Sequence, residues 1–156
     1  MSQSAPIIRI LPDEAATLAL GQSWAQSLAA PLTVYLQGEL GAGKTTFTRG
    51  LLRGLGHTGA VKSPTYAIVE SYPLAGLTLH HFDLYRFSTP EEWEDAGLDE
   101  LFDGNSVCLI EWPQQGGGFV PPADITATLA HSETGRMCTL TAHTPKGQQS
   151  LEAWLN

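Results

Sequence analysis

Residues 38–46 have the sequence Gly38-Glu39-Leu40-Gly41-Ala42-Gly43-Lys44-Thr45-Thr46. A glycine, four further residues and then Gly-Lys-Thr form the phosphate-loop pattern, which needs a β-strand before it and a helix after it. Residues 33–37 predict that strand, because β-branched and aromatic side chains are frequent there. Residues 46–52 predict the first turns of the helix. The stretch therefore predicts a nucleotide-binding loop in an α/β protein.

The residue types of this loop suit a chain of phosphates. Gly38, Gly41 and Gly43 have no Cβ, so the backbone can turn successive N–H groups toward phosphate oxygens. The helix that begins near Lys44 adds the positive end of its dipole, and Lys44 itself adds a full charge for the outer phosphates. Thr45 offers a hydroxyl group to Mg²⁺. We therefore expect the loop to bind a nucleotide together with Mg²⁺.

Length and charge limit the class of protein. A chain of 156 residues is long enough for a sheet covered on both sides but not for a second core, so we expect residues 1–156 to form a single domain. The 16 acidic residues outnumber the 8 basic ones, and the net charge is −8. Direct binding to nucleic acid depends on neutralising phosphates. We therefore expect no DNA binding, and any link to RNA should pass through a partner protein.

The N-terminal residues and the cysteines predict a cytosolic protein. Residues 1–6 show no basic region followed by an apolar run, so we expect no signal peptide. Pro31 interrupts the longest candidate for a membrane span. Cys108 lies in an apolar run and Cys138 in an alternating one, which is typical of reduced thiols in a protein core.

Patterns of apolar residues predict the other elements. Asp13 is a candidate cap for a helix with apolar residues at 15, 18, 25 and 28, which Pro31 should close. A second helix should begin at Thr89, with Glu92 completing a capping box, and end at Gly97. The last residues should form a short amphipathic turn. We expect strands at 7–10, 67–72, 77–83, 107–110, 124–130 and 136–142.

The order of these elements predicts how the sheet is built. Helices separate the central strands, whereas the pairs 67–72 with 77–83 and 124–130 with 136–142 should form hairpins. The run at 107–110 is wholly apolar, as in a strand that is buried on both faces. We therefore predict an α/β P-loop nucleotide-binding fold, with a mainly parallel central sheet, antiparallel edge strands and hairpins.

Two carboxylates that follow predicted strands are candidates for the metal site. Glu111 closes the buried strand, where P-loop proteins hold a second acid that organises Mg²⁺; a solvated strand-end carboxylate is the alternative. Aspartate is usual there, and the longer glutamate favours contact through water or positioning of the attacking water. Asp83 could bind Mg²⁺ through water or act as a base, and capping a turn is an equal alternative.

Other polar and aromatic residues allow simpler interpretations. Thr65 follows the loop helix, where nucleotide switches supply a threonine to Mg²⁺ and the terminal phosphate. From the residues alone, a turn with an exposed threonine is the favoured interpretation. Arg86 could stabilise phosphate charge, although a surface ion pair is the more common role, and Trp112 is expected to pack. His80 and His81 should face opposite sides of the sheet, which argues against a zinc pair.

Four motifs together resemble the TsaE family, small bacterial ATPases needed to make threonylcarbamoyladenosine in tRNA. They occur in the family's order and spacing, and the similarity covers nearly the whole chain. The motifs are residues 38–46, Ser63-Pro64-Thr65-Tyr66, His81-x-Asp83-x-Tyr85-Arg86 and Ile110-Glu111-Trp112.

The resemblance implies a Mg²⁺-dependent ATPase that binds ATP or ADP through the whole loop 38–46. It also implies docking to a TsaB–TsaD pair, in which TsaD transfers the threonylcarbamoyl group and ATP hydrolysis permits repeated cycles; tRNA would be reached only through this complex. By position, it implies catalytic roles for Lys44, Thr65, Asp83 and Glu111, and metal binding by Thr45, Asp83 and Glu111. It places Asp13 and Arg136 near the nucleotide base.

Other activities fit the sequence less well. A small-molecule kinase needs several cations in a lid, yet residues 112–135 contain no lysine or arginine. A GTPase would need an Asn-Lys-x-Asp segment, which the sequence lacks. A third alternative is an interaction module that binds nucleotide without meaningful catalysis. Because arginine is scarce, we expect ATP turnover by the chain alone to be slow and to need charge from a partner.

Overall fold

A seven-stranded sheet carries the fold in the computed structural model, which describes residues 5–39 and 41–155. Its strands are β1 (Ile7–Leu11), β2 (Leu32–Gly38), β3 (Val69–Pro73), β4 (Thr78–Asp83), β5 (Ser106–Glu111), β6 (Ile125–Ser132) and β7 (Gly135–Ala142). The helices are α1 (Glu14–Trp24), α2 (Lys44–Gly54), α3 (Glu92–Asp95) and α4 (Pro145–Leu155). Two 3₁₀ segments span Leu98–Leu101 and Pro113–Phe119. No helix in the described part of the chain is long and apolar enough to cross a membrane.

The sheet has the order β1-β7-β6-β2-β5-β4-β3. β2 pairs in parallel with β5 and β6, and β4 pairs in parallel with β5. The pairs β1–β7, β6–β7 and β3–β4 are antiparallel. The predicted P-loop α/β fold, with a parallel centre, antiparallel edges and hairpins, is confirmed. Since β2, β5 and β4 are parallel neighbours, their carboxyl ends meet at one edge of the sheet.

Two hydrophobic clusters hold the phosphate-loop segment in place. The larger one packs α1, α2 and α4 against the sheet, and it includes the stacked rings of Trp24 and Trp154, 4.4 Å apart. α1 and α2 approach closely because Gly50 has no side chain: a Cβ there would lie 2.1 Å from the carbonyl oxygen of Leu18. The smaller cluster packs Phe82, Trp93 and neighbouring residues beside β4 and β5. Both ends of the loop are thus fixed by buried elements.

Two helix predictions at the ends of the chain were wrong. α1 is capped by Asp13 as expected, but it ends at Trp24, well before Pro31, and Ala15 is exposed. Its buried face carries Thr17, Gly21 and Trp24, so its packing depends on a glycine and a threonine, which a search for apolar spacing does not find.

The C-terminal segment is an 11-residue helix, not a short turn. Its apolar contacts are few, and Trp154 stabilises it by stacking on distant Trp24.

The predicted helix after Thr89 is much shorter than expected. The carboxylate of Glu92 accepts the backbone N–H of Thr89 at 2.9 Å, which is one half of the predicted capping box. The α-helical part spans only Glu92–Asp95, and its cap is Glu91, without a side-chain hydrogen bond, instead of Thr89. Gly97 ends it in a left-handed conformation, as predicted. A 3₁₀ turn that buries Leu98 follows directly, so the α-helix does not continue beyond Gly97.

Candidate nucleotide-binding site

The phosphate-loop sequence begins with the last residue of β2 and ends in the first turn of α2, so the predicted strand and helix flank the loop. Gly38 and Gly43 both have positive φ angles, 149° and 107°, which only glycine adopts readily. The backbone N–H of Ala42 donates to the carbonyl oxygen of Glu39 at 3.0 Å and closes the turn. Leu40 lies outside the described residues. The free N–H groups at the start of α2 therefore face the space next to the turn, which is a geometry suited to anions.

A cavity of about 740 Å³ opens beside this turn, a volume within the range of small-molecule sites. It brings together the loop, the connection after α2 and the carboxyl ends of β4 and β5. Most of the predicted site residues line it: Glu39, Gly41, Gly43, Lys44, Thr45, Thr46, Thr65, Asp83 and Glu111. Gly38 lines an adjoining cavity of about 530 Å³, and the side chain of Ala42 is buried in the core.

Lys44 and Glu111 form a nearly buried ion pair in the cavity wall. Lys44 Nζ lies 3.2 Å from Glu111 Oε1, and the two side chains are 9% and 8% exposed. The other carboxylate oxygen, Oε2, is 2.6 Å from Nε2 of His81, which is completely buried. Burial alone would raise the pKa of Glu111, but the hydrogen bond from His81 and the charge of Lys44 hold this pKa below its ordinary value. Glu111 is therefore an ionised carboxylate with both oxygens engaged.

Asp83 joins the candidate switch residue Thr65 to the edge of the sheet. The hydroxyl group of Thr65 donates to Asp83 Oδ2 at 3.1 Å. The backbone N–H of Tyr85 donates to Asp83 Oδ1 at 2.9 Å, so Asp83 caps this turn, which was one of the two predicted alternatives. Thr65 is half-buried rather than fully exposed, and it lines the cavity. The contact shows that the two motifs, distant in sequence, form one unit at this edge.

Asp13 and Arg136 lie beside the loop but outside the larger cavity. Both line a separate pocket of about 150 Å³, together with Gly41 and Gly43. Arg136 Nη2 donates to the carbonyl oxygen of Gly41 at 3.1 Å, while Asp13 Oδ1 accepts the N–H of Ala16 at the start of α1. The two residues predicted to lie near the base are thus close together and contact the loop and the neighbouring helix.

Three side chains at the site have contacts that the sequence analysis missed. Trp112 was expected only to pack, but its ring centroid lies 5.3 Å from Lys44 Nζ and 5.1 Å from the Tyr85 ring. Its backbone is left-handed, with φ 57°, which no sequence pattern indicated. Arg86 forms no ion pair with a carboxylate of the described residues. Its guanidinium group stacks on the exposed ring of Tyr66 at 4.0 Å.

The third missed contact is that of His81 with Glu111. His80 and His81 point to opposite faces of β4, as predicted: His80 contacts Ser71 Oγ at 2.7 Å and Ser106 Oγ at 3.3 Å. The sequence analysis argued against a zinc role for His81 and quoted it in the motif of residues 81–86, but it assigned no contact to the side chain. The signal that could have found its role is its position two residues before Asp83 on the strand beside Glu111.

The residues at the cavity suit Mg²⁺ held together with phosphate. Thr45 supplies a hydroxyl oxygen, and Asp83 and Glu111 supply carboxylate oxygens, the ligand type that Mg²⁺ prefers. Within residues 5–39 and 41–155, no group of three or more His, Cys, Asp or Glu side chains could hold a metal ion by itself. Mg²⁺ commonly uses one or two carboxylates plus substrate phosphates and water, so such a group is not required.

A phosphate-loop sequence between a parallel strand and a helix, with an acid at the end of the neighbouring parallel strand, defines the class of P-loop proteins. Within this class the chain belongs to the TsaE family: the family model described as threonylcarbamoyl adenosine biosynthesis protein TsaE matches residues 11–138. The resemblance found in the four sequence motifs is thereby confirmed.

Individual relatives agree with this assignment. The chain is 44% identical over 155 residues to a tRNA threonylcarbamoyladenosine biosynthesis protein TsaE of Haemophilus influenzae, covering 96% of this chain and 98% of that protein. It is 54% identical over 77 residues to the TsaE protein of Bacillus subtilis, about half of each chain. The crystal structure of Bacillus subtilis YdiB matches 97% of this chain and 95% of its own, with a TM-score of 0.79 and 30% identity.

Proposed function

We propose that this protein binds and hydrolyses ATP, with Mg²⁺, as a component of the machinery that makes threonylcarbamoyladenosine in tRNA, and that it acts with TsaB and TsaD. Its family membership and the names of its relatives support the pathway. The observation that carries the ATPase activity is the meeting of Lys44 and Glu111 in one cavity wall at the start of α2.

The loop residues bind the phosphate chain in this proposal. The N–H groups at the start of α2 donate to phosphate oxygens, and Lys44 leaves Glu111 to contact the outer phosphates. Thr45 and Glu111 would hold Mg²⁺, and Asp83 would contribute through water; the ion would supply charge stabilisation for the terminal phosphates. The release of Glu111 from Lys44 and its use at the metal site therefore occur together.

Glu111 and Asp83 have different tasks at the hydrolytic step. Both oxygens of Asp83 already accept hydrogen bonds, from Thr65 and from the Tyr85 backbone, so Asp83 mainly holds the Thr65 segment against the site. Glu111 Oε1 faces the loop, and after Lys44 has moved it can orient the attacking water. Thr65, which lines the same cavity, would be available to the metal and the terminal phosphate.

The cavity has too little positive charge for fast hydrolysis by the chain alone. Of the described residues that line it, four carry carboxylates (Glu14, Glu39, Asp83 and Glu111), while Lys44 and Arg86 carry positive charge. Arg86 is held on Tyr66, so it does not compensate the charge that develops on a transferred phosphate. We therefore propose that docking to TsaB and TsaD supplies a cation or reorients Arg86.

Reconstituted synthesis of threonylcarbamoyladenosine tests this function. TsaB and TsaD, with threonylcarbamoyl donor and tRNA, should complete several cycles only when this protein and ATP are both present. Lys44→Ala should abolish that effect. A radioactive γ-phosphate that passes from ATP to a small metabolite, with no effect on tRNA modification, would contradict the proposal and favour the kinase alternative.

A further inference from the structure

We infer that His81 is a positioning residue for ATP hydrolysis, which fixes the direction of the Glu111 carboxylate; this inference rests on the proposed function. His81 is on β4 and Glu111 ends β5, and the two parallel strands pair Asp83 with Glu111. From that register the imidazole reaches Glu111 Oε2 at 2.6 Å. The side chain of His81 is completely shielded from solvent, so water does not compete for this contact.

The two nitrogen atoms of His81 have very different surroundings. Nε2 contacts the carboxylate, whereas Nδ1 is buried and has no hydrogen-bond partner among the described residues. A proton on Nδ1 would leave a buried N–H donor without a hydrogen-bond partner. This costs more free energy than leaving the same nitrogen as a buried acceptor without a partner. An ionised carboxylate only accepts hydrogen bonds, so we assign a proton to Nε2, which donates to Glu111 Oε2.

This hydrogen bond separates the tasks of the two carboxylate oxygens. Oε2 is held by His81, so only Oε1 faces Lys44 and the loop. Without His81, the carboxylate could rotate and offer both oxygens to Lys44. Such a paired carboxylate would retain the lysine that the phosphates need, and it would turn its lone pairs away from the metal and the attacking water. His81 therefore acts through Glu111 and does not touch the reacting atoms.

The neighbouring histidine provides a matched control. His80 is also almost completely buried, and it makes two side-chain hydrogen bonds, but both partners are serines outside the cavity. Loss of His80 should therefore affect stability without changing Glu111. A comparison of the two positions separates an effect on the site from the general cost of replacing a buried histidine.

Kinetics of three variants, assayed with TsaB and TsaD, provide the first test. Removal of a residue that orients a metal ligand typically costs 10–100-fold in activity or metal affinity. His81→Leu should lower kcat by about tenfold or more and raise the Mg²⁺ concentration for half-maximal rate by a similar factor. It should also raise the KM for ATP, because the rotated carboxylate then retains Lys44. His81→Gln, which keeps an N–H near the same place, should recover most of kcat. His80→Leu should retain kcat.

Nuclear magnetic resonance of histidine-labelled protein provides a second test that needs no ATPase activity and no variant of His81. The wild-type spectrum should show a proton on Nε2 of His81, and Glu111→Gln should shift this signal. An Nε2 without a proton, or a signal that Glu111→Gln leaves unchanged, would overturn the inference. A folded His81→Leu variant with normal kcat and normal Mg²⁺ dependence would also overturn the inference.

Failure of the proposed function gives a different result. If wild-type protein does not hydrolyse ATP, the proposed function is wrong, and the spectrum still shows whether His81 donates to Glu111.

Discussion

Lys44 Nζ lies 3.2 Å from Oε1 of Glu111, so the residue expected to bind phosphate and the residue expected to serve the metal are bound to each other. Both side chains are more than nine-tenths buried, which makes the ion pair stronger than one at the surface. A phosphate chain in the loop has to compete with Glu111 for the lysine. In the proposed function, nucleotide binding is therefore coupled to the release of the carboxylate.

Replacement of Glu111 by glutamine should strengthen the binding of ADP in the absence of Mg²⁺. The neutral side chain no longer retains Lys44, and we expect a Kd lower by about tenfold, which corresponds to about 1.4 kcal/mol. The same variant should hydrolyse ATP at least about a hundredfold more slowly, because it lacks the carboxylate that orients water. Calorimetry with ADP and EDTA measures the first effect.

Glu91→Gln is the control for this measurement. It removes the same charge from an exposed residue that precedes α3 and does not line the cavity. Its Kd for ADP should equal that of the wild type. Equal affinities of wild type and Glu111→Gln would show that the ion pair does not compete with phosphate, and the coupling would be wrong.

Alanine substitutions at two loop glycines should separate backbone strain from a steric clash. Gly41 has φ 80°, and a Cβ there would meet no heavy atom of the described residues within 4 Å, so Gly41→Ala should lower the free energy of unfolding by only about 1–2 kcal/mol. Gly38 has φ 149°, and its Cβ would lie 2.3 Å from the carbonyl oxygen of Leu129. Gly38→Ala should therefore cost about 3 kcal/mol or more.

Urea unfolding, followed by circular dichroism, measures both changes. Equal losses of stability in the two variants would contradict the close approach of the loop to β6. Retention of normal stability by Gly38→Ala would contradict the described conformation of the loop itself.

Both cysteines should be unreactive in the folded protein. Burial raises the pKa of Cys108 to about 12, with a further contribution from Asp103, and burial also raises the pKa of Cys138 to about 12. At pH 8 almost no thiolate is then present, and the thiolate is the reactive form. A thiol reagent should label neither residue in buffer and both in guanidinium chloride. Rapid labelling of one thiol in buffer would show that its part of the core opens.

The phosphate loop and the strands were predictable because their signals are local. The nine-residue glycine pattern indicates a phosphate loop, and the apolar run at 107–110 indicates a buried strand. Neither indication needs information from the rest of the chain. The end of α1 was not predictable in this way, because its buried face includes Gly21 and Thr17. α4 was missed because its main contact, Trp154 with Trp24, joins opposite ends of the sequence.

The sequence predicted several residues that line the cavity, but it did not predict their contacts. Lys44, Asp83, Thr65 and Glu111 were named from motif and strand position, and the structure brings them to one cavity. The pairing of Glu111 with His81 depends on the parallel register of β4 and β5, which single-sequence patterns do not specify. The left-handed backbone of Trp112 and the stacking of Arg86 on Tyr66 likewise depend on tertiary packing.

Magnesium-dependent ATP turnover, measured for this protein alone and with TsaB plus TsaD, tests the central claim most directly. Lys44→Ala serves as the blank, because it removes the charge on which phosphate binding depends. We expect slow turnover by the protein alone and an increase of at least about tenfold with both partners, as a cation added in trans would give. Turnover that is the same with and without the partners, or that persists in Lys44→Ala, would contradict a partner-completed ATPase.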